Sequence, residues 1–436
     1  MNKEIIKYFC IFLGSFLFSL FFFYILGPIY CDEVWVYGFS YNLSKGLMIY
    51  RDYNVLQMPL YFLIASVFIK VFGSYIIVMH LFDSLLFSFM MVMLYKMINW
   101  KSLILLPIFM FFWPSGYNLL SLFFLILIIY LIYIGKDNDY LIAFIIGLCF
   151  ITKQNIGVFL FVPAFLYSKN KLKSIFCFII PFLVLSIYLI FNEAFYEFID
   201  YVFWGMLDFG ANNKYFESLF VGLFIVNIVI LVYLLFKSKF RDKELFYVLM
   251  FQFMMYPIFD SRHYVCASFP FLYLIFKKIG SSYLLKMIGI GVYLLELSLL
   301  YCVPMELNFS NGFDFLRNNY ELHLLAGEVK EYVGDCDNFF FTDYYSYYIK
   351  LYYDIPISQY DLLLNGNVGY KGMEKKFEDL TELCSGEKCY FFSKKKVINE
   401  EEGILGNQYG NFYNYIRENY VKVDDLFEFE VYTNSI

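Results

Sequence analysis

Two adjacent carboxylates, Asp32 and Glu33, directly follow the first apolar run of this chain, and the charged pair Arg51–Asp52 comes shortly after. Two further polar stretches interrupt apolar sequence, Thr152-Lys153-Gln154-Asn155 and Asp260-Ser261-Arg262-His263-Tyr264. Charge beside a bilayer costs free energy, so in so apolar a chain it calls for a use. A carboxylate near cations suits one chemistry. It acts as general base on an acceptor hydroxyl while the cations hold a phosphate leaving group. Arg262 has the planar fork that fits phosphate oxygens, and Lys153 would serve as a point charge. The bland alternatives stay open at this point: Asp32 and Glu33 as helix caps, Lys153 and Arg262 as snorkelling side chains at helix ends. His263 reads as a polar neighbour, because no metal-ligand spacing accompanies it.

The elements that must position these groups are helices. Asp32 suits a helix N-terminus, where negative charge also meets the dipole, and Lys45-Gly46 is a C-terminal stop. This predicts a helix of about three turns at the membrane surface, on which Asp32 and Glu33 point roughly 100° apart. The chain of 436 residues is 61% hydrophobic and 17% charged, and its apolar runs reach spanning length. Aromatic residues make up 24%, which lipid-facing bulk and interfacial belts account for.

Lys3 and Lys7 precede the anchor run Tyr8–Gly27, so the positive-inside rule puts the N-terminus in the cytoplasm and the Asp32 loop outside. Pro59–Phe72 is short for a crossing and reads as a surface or re-entrant helix with Pro59 in its first turn. The expected crossings continue as Ser74–Ile98, Leu103–Trp113, Asn118–Ile134, Tyr140–Phe150, Ile156–Tyr167, Ile175–Phe191, Leu219–Phe236, Leu245–Phe259, Tyr264–Phe276 and Tyr283–Val303. That makes about eleven spans, with nearly every basic cluster cytoplasmic. The Lys153 and Arg262 stretches, and an amphipathic interfacial helix expected in Asn192–Tyr215, then share the outer side with Asp32.

The charge is uneven. From Pro304 onward there are 12 Lys and Arg against 23 Asp and Glu, a net −11; before it there are 21 against 16, a net +5. An acidic tail argues against nucleic acid and against an anionic cytoplasmic leaflet. Strands at Asn338–Thr342, Lys388–Ser393 and Leu426–Tyr432, with helices at Leu322–Tyr332 and Gly372–Leu383, predict a small α/β unit. Cys384 and Cys389 could form a disulfide if this unit lies outside the cytoplasm. The expected division is a transmembrane domain over 1–303, with its catalytic outer loop at 29–73, and an extracytoplasmic α/β domain over 304–436. Two D-x-D triplets, Asp137-Asn138-Asp139 and Asp335-Cys336-Asp337, are weak signals, the first explained by turn chemistry. Walker, G-x-G-x-x-G and G-x-S-x-G motifs are missing.

In order along about 300 residues, Asp32-Glu33, Tyr50-Arg51-Asp52, Met58-Pro59-Leu60-Tyr61, Phe72-Gly73, Thr152-Lys153-Gln154 and Arg262-His263-Tyr264 with Pro270 form a series. The series resembles the membrane glycosyltransferases of the C-type fold that use polyprenyl-phosphate sugars, nearest the protein O-mannosyltransferase and aminoarabinose transferase superfamily. The resemblance implies a polytopic α-helical bundle with outer juxtamembrane helices and an inverting single displacement at the outer membrane face. It implies Asp32 as the catalytic base with Glu33 beside it, and donor-phosphate binding by Arg262, Lys153 and Arg51. Asp52, Gln57, Tyr61, Gln154, His263 and Tyr264 become candidates for substrate contact. A divalent metal, Mg or Mn, is used by some members and not by others; Asp32 and Glu33 would be its ligands here. The expected partners are a polyprenyl-phosphate sugar donor, a glycan, lipid or protein acceptor, and the plasma membrane. Two departures stand out. Gln57-Met58-Pro59 replaces a common Lys-Pro-Pro, and the loop Trp113–Asn118 lacks an acid many relatives carry. The other function classes are a lipid-linked glycan flippase or carrier, and a glycan polymerase or ligase using a diphosphate lipid donor.

Overall fold

The computed structural model describes residues 3–26, 31–106, 116–136, 138–207, 215–216, 218–256, 258–259, 261–278, 291, 294, 320–341, 345–361, 369, 372–394, 404–427 and 429–434. The expected span Tyr283–Val303, the stretch 107–115 and the end of the expected outer helix at 208–214 lie outside the described residues, apart from 291 and 294.

Helices dominate. α1 (Lys3–Leu26), α2 (Cys31–Ser44), α3 (Leu60–Phe72) and α4 (Ile76–Ile98) come first, and α4 runs on as a 3₁₀ turn, Asn99–Leu105. Then follow α5 (Gly116–Tyr133), α6 (Asp139–Phe150), α7 (Gln154–Tyr167) and α8 (Lys171–Phe191). α9 (Phe195–Ile199) continues into a π-helical turn, Asp200–Gly205, where an amphipathic helix was expected. α10 (Ser218–Lys237), α11 (Lys243–Phe251) and α12 (Ser261–Lys278) complete the apolar helices among the described residues. The expected crossing Leu245–Phe259 is broken: after α11 the chain makes a 3₁₀ turn and a short strand. Among the described residues five helices are long and apolar enough to cross a membrane, and α3, α6 and α7 are shorter apolar ones.

One end of the bundle is a belt of lysines laid over tyrosines. Lys7 lies over Tyr95, Lys96 over Tyr8 and Tyr130, Lys173 over Tyr140, Lys243 over Tyr167 and Lys277 over Tyr133, each with the ammonium within 6 Å of the ring centre. These contacts involve the starts of α1, α6, α8 and α11 and the ends of α4, α5, α7 and α12. α6 is gripped from both sides. A Cβ on Gly147 would lie 2.3 Å from the Phe178 carbonyl of α8, and one on Gly157 of α7 would lie 2.3 Å from the Phe150 Cα. Small residues here let backbones approach, as in membrane helix pairs generally.

The C-terminal segment has α13 (Tyr320–Val333), α14 (Tyr345–Tyr352), α15 (Gly372–Gly386) and α16 (Ile404–Asn419) around a mixed sheet. Its strands Phe339–Phe341, Tyr390–Lys394, Val421–Leu426 and Phe429–Thr433 are ordered first, second, fourth, third. The first two pair in parallel, and the last two form an antiparallel hairpin. One strand was expected where the hairpin lies, because the turn near Phe427 carries no Gly or Pro to announce it; Phe427 itself supplies the positive φ. Cys384 and Cys389 are disulfide-bonded.

Candidate active site

α2 forms as its signals suggest. It starts beside Asp32 and stops at Gly46, whose φ of 92° suits a residue without a Cβ. Asp32 and Glu33 stand in its first turn; their side chains lie outside the described residues. What holds α2 comes from two directions. Below, Phe39 meets Phe62 of α3 edge-on and stacks on Tyr53, whose hydroxyl donates to the Phe39 carbonyl. Above, the C-terminal segment straps it down. Tyr41 donates to the Asp354 carbonyl, and Asn42 both donates to the Ile357 carbonyl and accepts from the Ile357 N–H.

The loop after α2 is rigid for its length. Tyr50 has a φ of 72°, which a bulky residue adopts only when its surroundings insist. Here they do: its hydroxyl donates to the Gln57 carbonyl at 2.7 Å, and its ring packs on Phe198. Arg51 forks onto both oxygens of Asp52, at 2.7 and 3.0 Å, and reaches the Asn192 carbonyl at 3.2 Å. The guanidinium and the Met48 N–H hold the Asp52 carboxyl below the usual carboxylate range. Arg51 is thus paired, and its fork ties the loop to the end of α8.

The second polar stretch sits at the same end. Leu60 at the start of α3 donates to the Ile151 carbonyl, next to Thr152 and Lys153. The Lys153 ammonium donates to Asn118 Oδ1 at 2.7 Å and lies 5.8 Å from the centre of the Tyr117 ring. Gln154 reaches the Val202 carbonyl of the π-helical turn, and Asn155 the Tyr256 carbonyl just before α12. There a two-residue strand, Ile258–Phe259, pairs with Tyr215–Phe216. α12 follows, with Arg262 in its first turn (its side chain outside the described residues) and His263 half-buried. The folded chain therefore brings the Arg51 loop, the Lys153 turn and the start of α12 to one end of the bundle, with α2.

Two candidates face inward instead. Tyr264 is fully buried against Phe220. Tyr61 is fully buried too, and its hydroxyl donates to Asp83 Oδ1 at 2.8 Å. Asp83, with His80 Nδ1 3.6 Å from its other oxygen, was not anticipated. Nor were Asn118 and Gly116. The signal for Asp83 and His80 was present in the sequence, as ionisable residues in the middle of an apolar span. Among the described residues no three His, Cys, Asp or Glu side chains come together as a metal cage.

Neither a protein-family model nor a curated protein matches the sequence. Among solved structures the chain is similar to ArnT from Cupriavidus metallidurans in the apo state. The TM-score is 0.56, and the match covers 100% of this chain and 98% of that one, at 10% identity. The chain has the C-type glycosyltransferase fold. At this identity the likeness is one of fold, and it extends through the C-terminal segment as well as the bundle.

Proposed function

We propose that the chain transfers a sugar from a polyprenyl-phosphate donor to a glycan, lipid or protein acceptor of the cell envelope, with inversion and with Asp32 as general base. The observation that carries this reading is the convergence, on a fold shared with ArnT, of the Asp32 helix, the Arg51 loop, the Lys153 turn and the start of α12 at one end of the bundle. Asp32 takes the proton of the acceptor hydroxyl as its oxygen bonds to the anomeric carbon. The bond from that carbon to the phosphate oxygen breaks, and the electron pair leaves with the lipid phosphate. Lys153 and Arg262 meet the charge that develops there, while Arg51, paired with Asp52, holds the rim. Glu33, about 100° round the helix, is free for a different task, such as orienting the acceptor. Gln57, Gln154 and His263 line the approach to the sugar.

In this reading 1–303 is the transferase domain and 304–436 an extracytoplasmic domain. The lysine–tyrosine belt faces the cytoplasm, as the positive-inside rule asks, and the disulfide belongs to the oxidising side. The test is transfer by the purified chain in nanodiscs, from a panel of undecaprenyl-phosphate sugars. The wild type should release lipid phosphate. Asp32→Asn should bind donor yet turn over at least ~100-fold more slowly. Equal turnover by Asp32→Asn would remove the base assignment. No consumption of any donor, with binding intact, would favour a carrier without bond chemistry.

A further inference from the structure

Asp83 and His80 are 1% and 2% exposed on α4, a helix with no other ionisable side chain before Tyr95. Core packing alone would not select them, since a carboxylate is costly among apolar helices. Asp83 Oδ1 accepts the Tyr61 hydroxyl at 2.8 Å, which fixes a ring that is itself fully buried. That ring lies directly on Gly116, the first residue of α5. A Cβ at Gly116 would come within 1.9 Å of Tyr61 Cζ and 2.1 Å of its hydroxyl oxygen, so ring and backbone meet without slack. One residue on, the Tyr117 ring packs on Phe62, the neighbour of Tyr61. Two residues on, Asn118 accepts the Lys153 ammonium at 2.7 Å. A rigid line thus runs from Asp83 through Tyr61 and the first turn of α5 to Lys153.

We propose that Asp83 and Tyr61 are positioning residues: they set the start of α5, and through Asn118 the Lys153 ammonium, where the phosphate of a polyprenyl phosphate binds. This rests on the reading of Lys153 as a phosphate ligand. Neither residue touches the reacting atoms. Asp83 anchors the phenol, the phenol places Gly116, and the helix turn carries the placement to the cation.

The test is binding of undecaprenyl phosphate to the full chain in nanodiscs, with thermal melting measured on the same samples. Lys153→Met should weaken binding about 10-fold, the scale of one lost charge-assisted contact. Tyr61→Phe should weaken it several-fold, and the double variant should bind no worse than Lys153→Met alone, because both act through one cation. Asp83→Leu removes the acceptor and leaves the Tyr61 hydroxyl buried without it, so it should melt lower than wild type and, below that melt, bind as weakly as Tyr61→Phe, whereas Asp83→Asn keeps an acceptor and should stay near wild type. The positioning role is overturned if Tyr61→Phe and Asp83→Leu both bind like wild type, or if their effects add in full to that of Lys153→Met. A wild type that binds the lipid phosphate but transfers no sugar would sink the transferase reading and leave this one standing. A wild type that binds none would sink both.

Discussion

The Lys376 ammonium donates a 2.8 Å hydrogen bond to the Tyr201 hydroxyl, joining the C-terminal segment to the π-helical turn across 175 residues of chain. Lys376 is 6% exposed, and it also donates to Gln359 Oε1 at 2.8 Å. The Gln359 carbonyl in turn accepts from Asn54 in the Arg51 loop. One buried cation thus locks three segments around the candidate site.

Lys376→Met keeps the length of the side chain but leaves the buried Tyr201 hydroxyl and the half-buried Gln359 short of a donor. The expected cost is about 1–3 kcal/mol, seen as a lower melting temperature and faster proteolytic release of the C-terminal segment. A variant as stable and as protease-resistant as wild type would show that the lock contributes nothing.

The close approach of α6 and α7 makes a sharper demand. Alanine at Gly157 would press its Cβ against the Phe150 backbone, which cannot rotate away. Gly157→Ala is expected to destabilise by about 1–3 kcal/mol through overpacking. Gly222→Ala, with nothing within 4 Å of the added carbon, is the control and should change the melting temperature little.

Acid should loosen the C-terminal hairpin in a defined window. Burial pushes the Glu430 carboxyl up, but hydrogen bonds from Arg417, Lys422 and Tyr432 outweigh it and hold it at about 2, against an ordinary 4.5. A depressed folded value means a stabilising contribution that is complete above 4.5 and is lost as the pH falls towards 2. Glu430→Gln should flatten that part of the stability profile, followed by melting between pH 5 and pH 2. An unchanged profile would show that the three donors do not favour the carboxylate in the folded chain.

The sidedness can be read by labelling. Glu378 is exposed on α15, and Lys239 is exposed beyond the end of α10, at the lysine–tyrosine end. In intact cells a membrane-impermeant maleimide should react with Glu378→Cys and should reach Lys239→Cys only after permeabilisation. The reverse pattern would invert the proposed orientation.

Much of the bundle was legible because its signals are local. Hydropathy marks most of the helices, Gly46 ends α2, and Pro59 begins a short helix that starts at Leu60. The spacing of Cys384 and Cys389 likewise suffices for the disulfide that forms. Asp32–Glu33, Lys153 and Arg262 stood out because charge is rare in apolar sequence. Their side of the membrane is an expectation drawn from the basic clusters, and the labelling experiment tests it.

Only the tertiary structure decided which polar groups serve one another. Arg51 could as well have faced a ligand, and it pairs with Asp52 and Asn192. Tyr61 belonged to an outer motif, and it turns inward to Asp83. The strap over α2 joins Asn42 to Ile357, and the lock joins Tyr201 to Lys376. A hydrogen bond is fixed within a few tenths of an ångström, while most of these partners lie tens to hundreds of residues apart. No local pattern carries that information; it arises when packed helices leave each buried donor few acceptors within reach.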